Sequence, residues 1–344
     1  MLQSGSDGGR RDGWRATGVG SMPGSDPLAS TAVVAGELPD WPHLAELPAR
    51  GPGADMIGRA MSLVCEVSQD LAVEASAGRW RRVPAPGRDM RRAERFLADD
   101  REAAEQYLLG LDRPFSVPMA GPWTLAAAVV DAWGEASLRD HGYVAELCRA
   151  HGAAAGMLAA RFQRLFPQAD VVVSLDEPLL AAVHEGAIPF SSGYRRHAPI
   201  PADELVQGLR WARQAVQEAG AHLQVHTCAA PVWPVIASLR PDSFSFDLTQ
   251  LATGDAEPLG TWLESGAGTV FGVWPTDRPA APQDPDLATG LVGDWLHRLG
   301  LRVGEMPGAV AVSPRCGLAG VSQRDAVTAL RGVREVARRL ADGA

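Results

Sequence analysis

The chain has 344 residues, of which 46% are hydrophobic and 21% charged, with a formal net charge of −9. These are ordinary globular values with ample material for a core, and the acidic balance argues against nucleic acid or an anionic membrane as partner. No apolar run reaches bilayer-spanning length and no charged-then-apolar signal pattern opens the chain; four cysteines do not make a secreted disulfide framework, so a cytoplasmic, reducing location is expected.

Residues 1–14 are rich in Gly, Ser, Asp and Arg and read as a disordered lead. From residue 15 to residue 344, short apolar, β-prone runs alternate with longer amphipathic stretches. Strands are expected at 15–21, 44–47, 115–119, 170–176, 222–228, 243–248, 269–274 and 309–314. Helices are expected at 91–111, 136–166, 202–219 and 287–301, and an extra hairpin at 71–83. Such alternation implies parallel βαβ units. Eight strands over this length fit an α/β fold, a single TIM (β/α)8 barrel with small insertions over 15–344. Cys65 and Cys148 fall in apolar helical patterns and read as inert buried thiols.

In a barrel of this kind the site is built at the C-terminal strand ends. Side chains two apart on a strand share a face, so His226 and Cys228 converge at the end of Ala221-His222-Leu223-Gln224-Val225-His226-Thr227-Cys228. Imidazole nitrogen and thiolate sulfur so placed suit Zn2+. Cys316 ends another apolar run and leads into Gly317, which would let the backbone turn sharply there. Asp247 closes Phe244-Ser245-Phe246-Asp247 on the side opposite the rings; it is either a fourth, exchangeable oxygen ligand or a helix N-cap. Asp176 ends Val171-Val172-Val173-Ser174-Leu175-Asp176 and either holds a substrate ammonium group or caps the next helix. In Gly18-Val19-Gly20-Ser21-Met22-Pro23, the backbone N–H groups and the Ser21 hydroxyl can bind a carboxylate, or the segment is a plain turn.

These segments, with Gly121-Pro122-Trp123-Thr124 and Ser313-Pro314-Arg315-Cys316-Gly317-Leu318, occur in an order that resembles the catalytic domain of cobalamin-independent methionine synthase. The resemblance runs from Arg15 to the C-terminus. It implies a TIM barrel, a catalytic zinc and methyl transfer to the sulfur of homocysteine. It also implies that His226, Cys228 and Cys316 are zinc ligands, that Asp247 stands in place of a glutamate ligand, and that Val19, Gly20, Ser21 and Asp176 bind the amino acid.

Departures from the family pattern bear on the donor. Folate-using members have a tryptophan where Ala128 stands and a glutamate where Ala182 stands. Their general-acid histidine follows the seventh strand, where Trp274-Pro275-Thr276 offers none, so no catalytic acid is assigned. A glutamate that helps bind the amino acid is replaced near Gly58, and the long members' second, N-terminal barrel has no counterpart. The resemblance therefore points to a zinc-dependent thiol methyltransferase of the short type. Its methyl donor would be something other than free methyltetrahydrofolate, such as methylcobalamin or a corrinoid protein. Alternatives are a zinc thiol alkyltransferase using another electrophile, such as an epoxide, and a non-catalytic zinc- or thiol-binding barrel. A decarboxylase like uroporphyrinogen decarboxylase shares the barrel but needs neither the His-x-Cys nor the late cysteine.

Overall fold

The computed structural model describes residues 13–276, 284–306 and 308–343. Apart from Gly13 and Trp14, the expected disordered lead lies outside the described residues. Trp14 belongs with the fold: its ring packs 5.6 Å from that of Phe271, and its indole Nε1 donates to Val303 O at 3.0 Å.

In chain order the main elements are β1 (Arg15–Ala16), α1 (Pro27–Glu37), α2 (Met56–Val67), β2 (Val73–Ser76), β3 (Arg79–Arg82), α3 (Arg88–Leu108), β4 (Phe115–Ala120), α4 (Pro122–Ala128) and β5 (Val129–Val130). There follow α5 (His141–Leu165), β6 (Val171–Asp176), α6 (Leu180–His184), α7 (Ala202–Glu218), β7 (His222–Thr227), α8 (Trp233–Leu239) and β8 (Ser243–Asp247). The chain closes with α9 (Ala256–Glu264), β9 (Gly268–Trp274), α10 (Pro285–Arg298), β10 (Val310–Pro314) and α11 (Gln323–Ala341).

Among the described residues, seven strands form one parallel sheet in the order β1-β10-β9-β8-β7-β6-β4. Parallel strands covered on both faces need apolar, β-branched runs, and β6, with Val171-Val172-Val173, is buried along its whole length. The outward-facing residues of β6 to β10 (Val173, Leu175, Val225, Phe244, Phe246, Phe271 and Val312) join the main core under the helices. The inward-facing set differs. A small apolar floor of Trp41, Val172, Val270 and Ala311 lies under a polar layer, in which Gln224 Nε2 donates to Ser174 Oγ and Ser243 Oγ donates to Gln224 Oε1, both at 3.1 Å.

Two expected strands are reduced, one to two residues and one to isolated bridges. The run at 15–21 is a strand only over Arg15–Ala16, because the chain turns at Gly18-Val19-Gly20. The run at 44–47 is not a strand; it makes single bridges on either side, His43 to Ser116 and Glu46 to Ser21. Leu44 N donates to Ser116 O and Met22 N to Glu46 O, both at 2.8 Å. Pro42 and Pro48 bracket this segment and cannot donate to a ladder, which holds it to isolated bridges. The closed eight-stranded ladder expected from the sequence is thus seven strands plus this bridging segment. The hairpin expected at 71–83 forms as β2–β3 and pairs with β5 in a second sheet. Cys65 and Cys148 are buried as expected. No helix among the described residues is long and apolar enough to cross a membrane.

Candidate active site

The inward polar layer rises to the C-terminal strand ends. Asp176 on β6 is in register with His226 on β7, and His226 with Ser245 on β8. These three side chains therefore point to the same interior. His226 is buried; its Nδ1 is hydrogen-bonded to Ser245 Oγ at 2.9 Å, while Nε2 has no partner. Burial without a charged neighbour lowers its pKa to about 4. A buried nitrogen left unpaired costs about 1–3 kcal/mol.

Cys228 lies one residue past β7 and Cys316 two past β10, and both are half-buried. Strands β8 and β9 separate β7 from β10 in the sheet, yet the two thiols meet across the interior because the sheet curls. The two thiols come near enough to act on each other: the neighbouring Cys316 raises the Cys228 thiol, and the neighbouring Cys228 lowers Cys316 to about 7.

Asp247 ends β8 facing the same interior, and its charge falls on Cys316. Its carboxylate is engaged locally: Oδ1 accepts from Thr249 N at 2.9 Å and Thr249 Oγ1 at 2.7 Å, and Oδ2 from Gln250 Nε2 at 3.3 Å. Arg315 Nε is 3.8 Å from Oδ1. Among the described residues, no three His, Cys, Asp or Glu side chains lie close enough together, as they stand, to hold an ion. The donor types nevertheless fit zinc: one orphaned imidazole nitrogen and two neighbouring thiols.

Of Val19, Gly20 and Ser21, Ser21 packs on the cysteine turn, where Leu318 N donates to Ser21 O at 2.8 Å. Gly317 does not adopt the left-handed backbone expected of a sharp glycine turn. Its requirement is space, since a Cβ there would collide with Ser21 Oγ. Gly20, at φ +146°, brings the chain so close to β4 that a Cβ would lie 2.8 Å from Pro118 Cγ.

Asp176 is 7% exposed. Burial raises its carboxyl well above the usual range, and the charges of Glu46 and Cys316 add to this. Its one hydrogen bond among the described residues comes from Ser174 Oγ, at 3.4 Å to Oδ1. It caps no helix. Glu177 takes a structural part instead, accepting from Trp123 N at 3.0 Å, Thr124 N at 2.8 Å and Thr124 Oγ1 at 2.7 Å. This ties the end of β6 to the start of α4. Burial lifts the Glu177 carboxyl to about 7, against those donors.

Glu46 is the residue the sequence reading missed. Its neighbours are Arg59, whose Nε donates to Oε1 at 2.9 Å, and Asp176, on which its charge falls. Arg59 is shared with Asp100, which Arg50 also approaches at 2.7 Å. Two guanidinium groups thus balance Glu46 and Asp100, and Asp176 remains without a cation. Gly58 itself is pressed by Trp80 of β3, whose ring a Cβ would strike. A lone carboxylate inside the apolar run Leu44-Ala45-Glu46-Leu47 was the available signal.

The curled parallel sheet has solved relatives. The chain superposes on a B12-independent methionine synthase from a Shewanella species, solved in complex with selenomethionine, at TM-score 0.60 and 12% identity, covering 95% of this chain and 98% of that one. Weaker likenesses are to Dispersin B, at TM-score 0.44, 10% identity and 96% and 100% coverage, and to xylanase B from Clostridium stercorarium, at 0.40, 11%, and 88% and 86%. At these identities the likeness speaks of fold alone. No curated protein matches the sequence. Residues 137–339, more than half of the chain, match the family described as the catalytic domain of cobalamin-independent synthase. The chain therefore belongs to the cobalamin-independent synthase family, and Asp176, His226, Cys228, Asp247 and Cys316 all fall within the matched domain.

Proposed function

We propose that this protein is a zinc-dependent methyltransferase that alkylates the sulfur of homocysteine to give methionine. The observation that carries the reading is the proximity of the free thiols Cys228 and Cys316 across the interior, with the buried, unpartnered Nε2 of His226 on a ring that faces the same interior. His226, Cys228 and Cys316 would hold the ion, with Asp247 as the exchangeable oxygen donor once released from its cap. With Nδ1 donating to Ser245, the His226 ring is fixed with the Nε2 lone pair inward, as metal-bound histidines require. A free thiol has a pKa near ~8.5; zinc, when bound, supplies the charge that makes the thiolate at neutral pH.

The remaining groups bind and orient. Asp176 and Glu46 present two buried carboxylates with one balancing cation too few, which suits a substrate ammonium group. The Val19-Gly20-Ser21 turn offers the amino acid's carboxylate a hydroxyl and backbone donors. Holding both ends of the amino acid fixes where its sulfur points. We further take residues 42–46 as the eighth stave of a TIM barrel, since they hydrogen-bond to both edge regions of the sheet, and residues 15–344 as one domain. Four free cysteines suit a cytoplasmic location.

Ala128 ends α4 and Ala182 lies within α6. Neither offers a ring to stack on a pterin or a carboxylate to bind it, so the donor is not free methyltetrahydrofolate. A methyl-corrinoid, free or protein-bound, fits the reading. Titration calorimetry of the zinc-loaded protein with homocysteine, in buffers of differing ionisation enthalpy, tests it. Binding with release of a proton is expected; homocysteine binding without proton release, or no binding, would remove the thiol-activation reading. Steady-state turnover with monoglutamyl methyltetrahydrofolate should be negligible, and efficient turnover would refute the donor assignment.

A further inference from the structure

Glu46, which the proposed function reads as a carboxylate for the substrate ammonium group, is tied to a charged network behind it. Its Oε1 accepts from Arg59 Nε at 2.9 Å. The same guanidinium donates through Nη1 to Asp100 Oδ2, and Arg50 Nη2 donates to that oxygen too, at 2.8 Å. All four side chains are buried. They come from separate elements: Arg50 ends the short turn Pro48–Arg50, Arg59 belongs to α2 and Asp100 to α3. Arg50 is also held against α3, with its guanidinium carbon 4.5 Å from the centre of the Phe96 ring. A guanidinium is a planar, rigid fork, so the bond to Asp100 fixes the edge that Arg59 turns to Glu46. The other oxygen of Glu46, Oε2, lies 3.9 Å from the point where a Cβ on Gly20 would stand, and Pro118 Cγ of β4 lies 2.8 Å from that point. Pro118 is in register with Ser174 on β6, two residues before Asp176. One oxygen of Glu46 therefore meets the network and the other the Val19-Gly20-Ser21 turn.

As charges, the network closes on itself, with two guanidinium groups against two carboxylates. Without Asp100, two guanidinium groups would stand behind Glu46 alone, and an ammonium group approaching Oε2 would meet an excess of positive charge in a poorly screened interior. We propose that Asp100 is a positioning residue of the amino-acid pocket: by engaging Arg50 and one end of Arg59, it leaves Glu46 aimed and charged to read the ammonium group of the substrate. The inference rests on the ammonium reading given under the proposed function. Asp100 touches no substrate and acts only through Arg59. The sign of its effect separates this role from a purely structural one. Asp100→Asn leaves one positive charge in excess, Arg50→Gln leaves one negative charge in excess, and the double variant is balanced again. Damage to packing alone would lower ligand affinity in all three.

The test measures, by titration calorimetry on the zinc-loaded full chain, the affinities for homocysteine and for 4-mercaptobutanoate, which lacks the amino group. Their ratio isolates the reading of the ammonium group, because a loss of packing or of zinc weakens both thiols alike. In Asp100→Asn the ratio should fall roughly 10-fold, the order expected for one unit charge inside a protein. In Arg50→Gln it should rise. In the double variant, and in Asp100→Glu, which keeps the charge, it should return close to the wild-type value. A ratio that does not fall in Asp100→Asn, that fails to rise in Arg50→Gln, or that stays low in the double variant overturns the proposal. If Asp100→Asn does not fold, Arg50→Gln and the double variant decide it by the same criteria. A wild-type ratio near one would remove the ammonium reading itself, and this inference with it. A large wild-type ratio that none of the variants alters would overturn this inference alone.

Discussion

Two polar regions of the molecule differ in what their groups lack. A hollow of 610 Å³ is lined by Arg82, Asp131, Trp133, Ser137, Arg139, Asp140 and His141, and its charged pairs are satisfied. Arg82 lies 2.9 Å from Asp140, Arg139 pairs with Asp131, and Asp131 also accepts from Trp133 N at 2.9 Å and Glu135 N at 3.0 Å. The mouth of the sheet has unmet bonding among the described residues: an orphaned His226 Nε2, two neighbouring free thiols, and Asp176 without a cation. Buried polar groups that remain unpaired cost stability, and at the strand ends such groups come from several strands and face one interior.

That contrast can be broken in order of effect. Cys228→Ser or Cys316→Ser should abolish tight zinc binding, a loss beyond the roughly 10–100-fold that supporting residues cost. Full zinc content in both variants, by metal analysis, would empty the mouth of its proposed chemistry. Asp176→Asn should weaken homocysteine binding by roughly 10- to 100-fold, the worth of a charged hydrogen bond, with zinc content unchanged. The same loss should appear in the wild-type protein when 4-mercaptobutanoate, which lacks the amino group, replaces homocysteine. Equal affinity for the two thiols would show that Asp176 and Glu46 do not read the ammonium group. Ser245→Ala should lower zinc affinity by about 10-fold, the lower end for a residue that orients a ligand. Arg139→Ala, in the hollow, should leave thiol affinity unchanged, because the partners of Arg139, Asp131 and Trp133, belong to the hollow and not to the strand ends. A loss there would erase the distinction between the two regions.

Much of this was legible in the sequence. The outward Val, Leu and Phe of β6 to β9 alternate or run on as buried parallel strands do, so the strands fell within a residue or two of expectation. His226, Cys228 and Cys316 could be read as a set because strand ends of a parallel sheet converge. The first and second strands were less legible. Glycines at 18 and 20 end β1 early, and Pro42 and Pro48 reduce the next run to bridges, so pairing there depends on both neighbours rather than on local propensity. Glu46 was hidden for the same reason: inside an apolar run, its meaning depends on Arg59 arriving from α2 and Asp100 from α3. Gly58 misled because Trp80, distant in sequence, fills the space above it. Asp247 could be read as ligand or cap, and the fold uses it as a cap.

X-ray absorption at the zinc edge, on the reconstituted protein with and without homocysteine, tests the central claim most directly. The account predicts a first shell of two sulfurs with nitrogen and oxygen donors, gaining a third sulfur and losing the oxygen when homocysteine is added. A shell that lacks the two cysteine sulfurs, or one that does not change with saturating homocysteine, would contradict it.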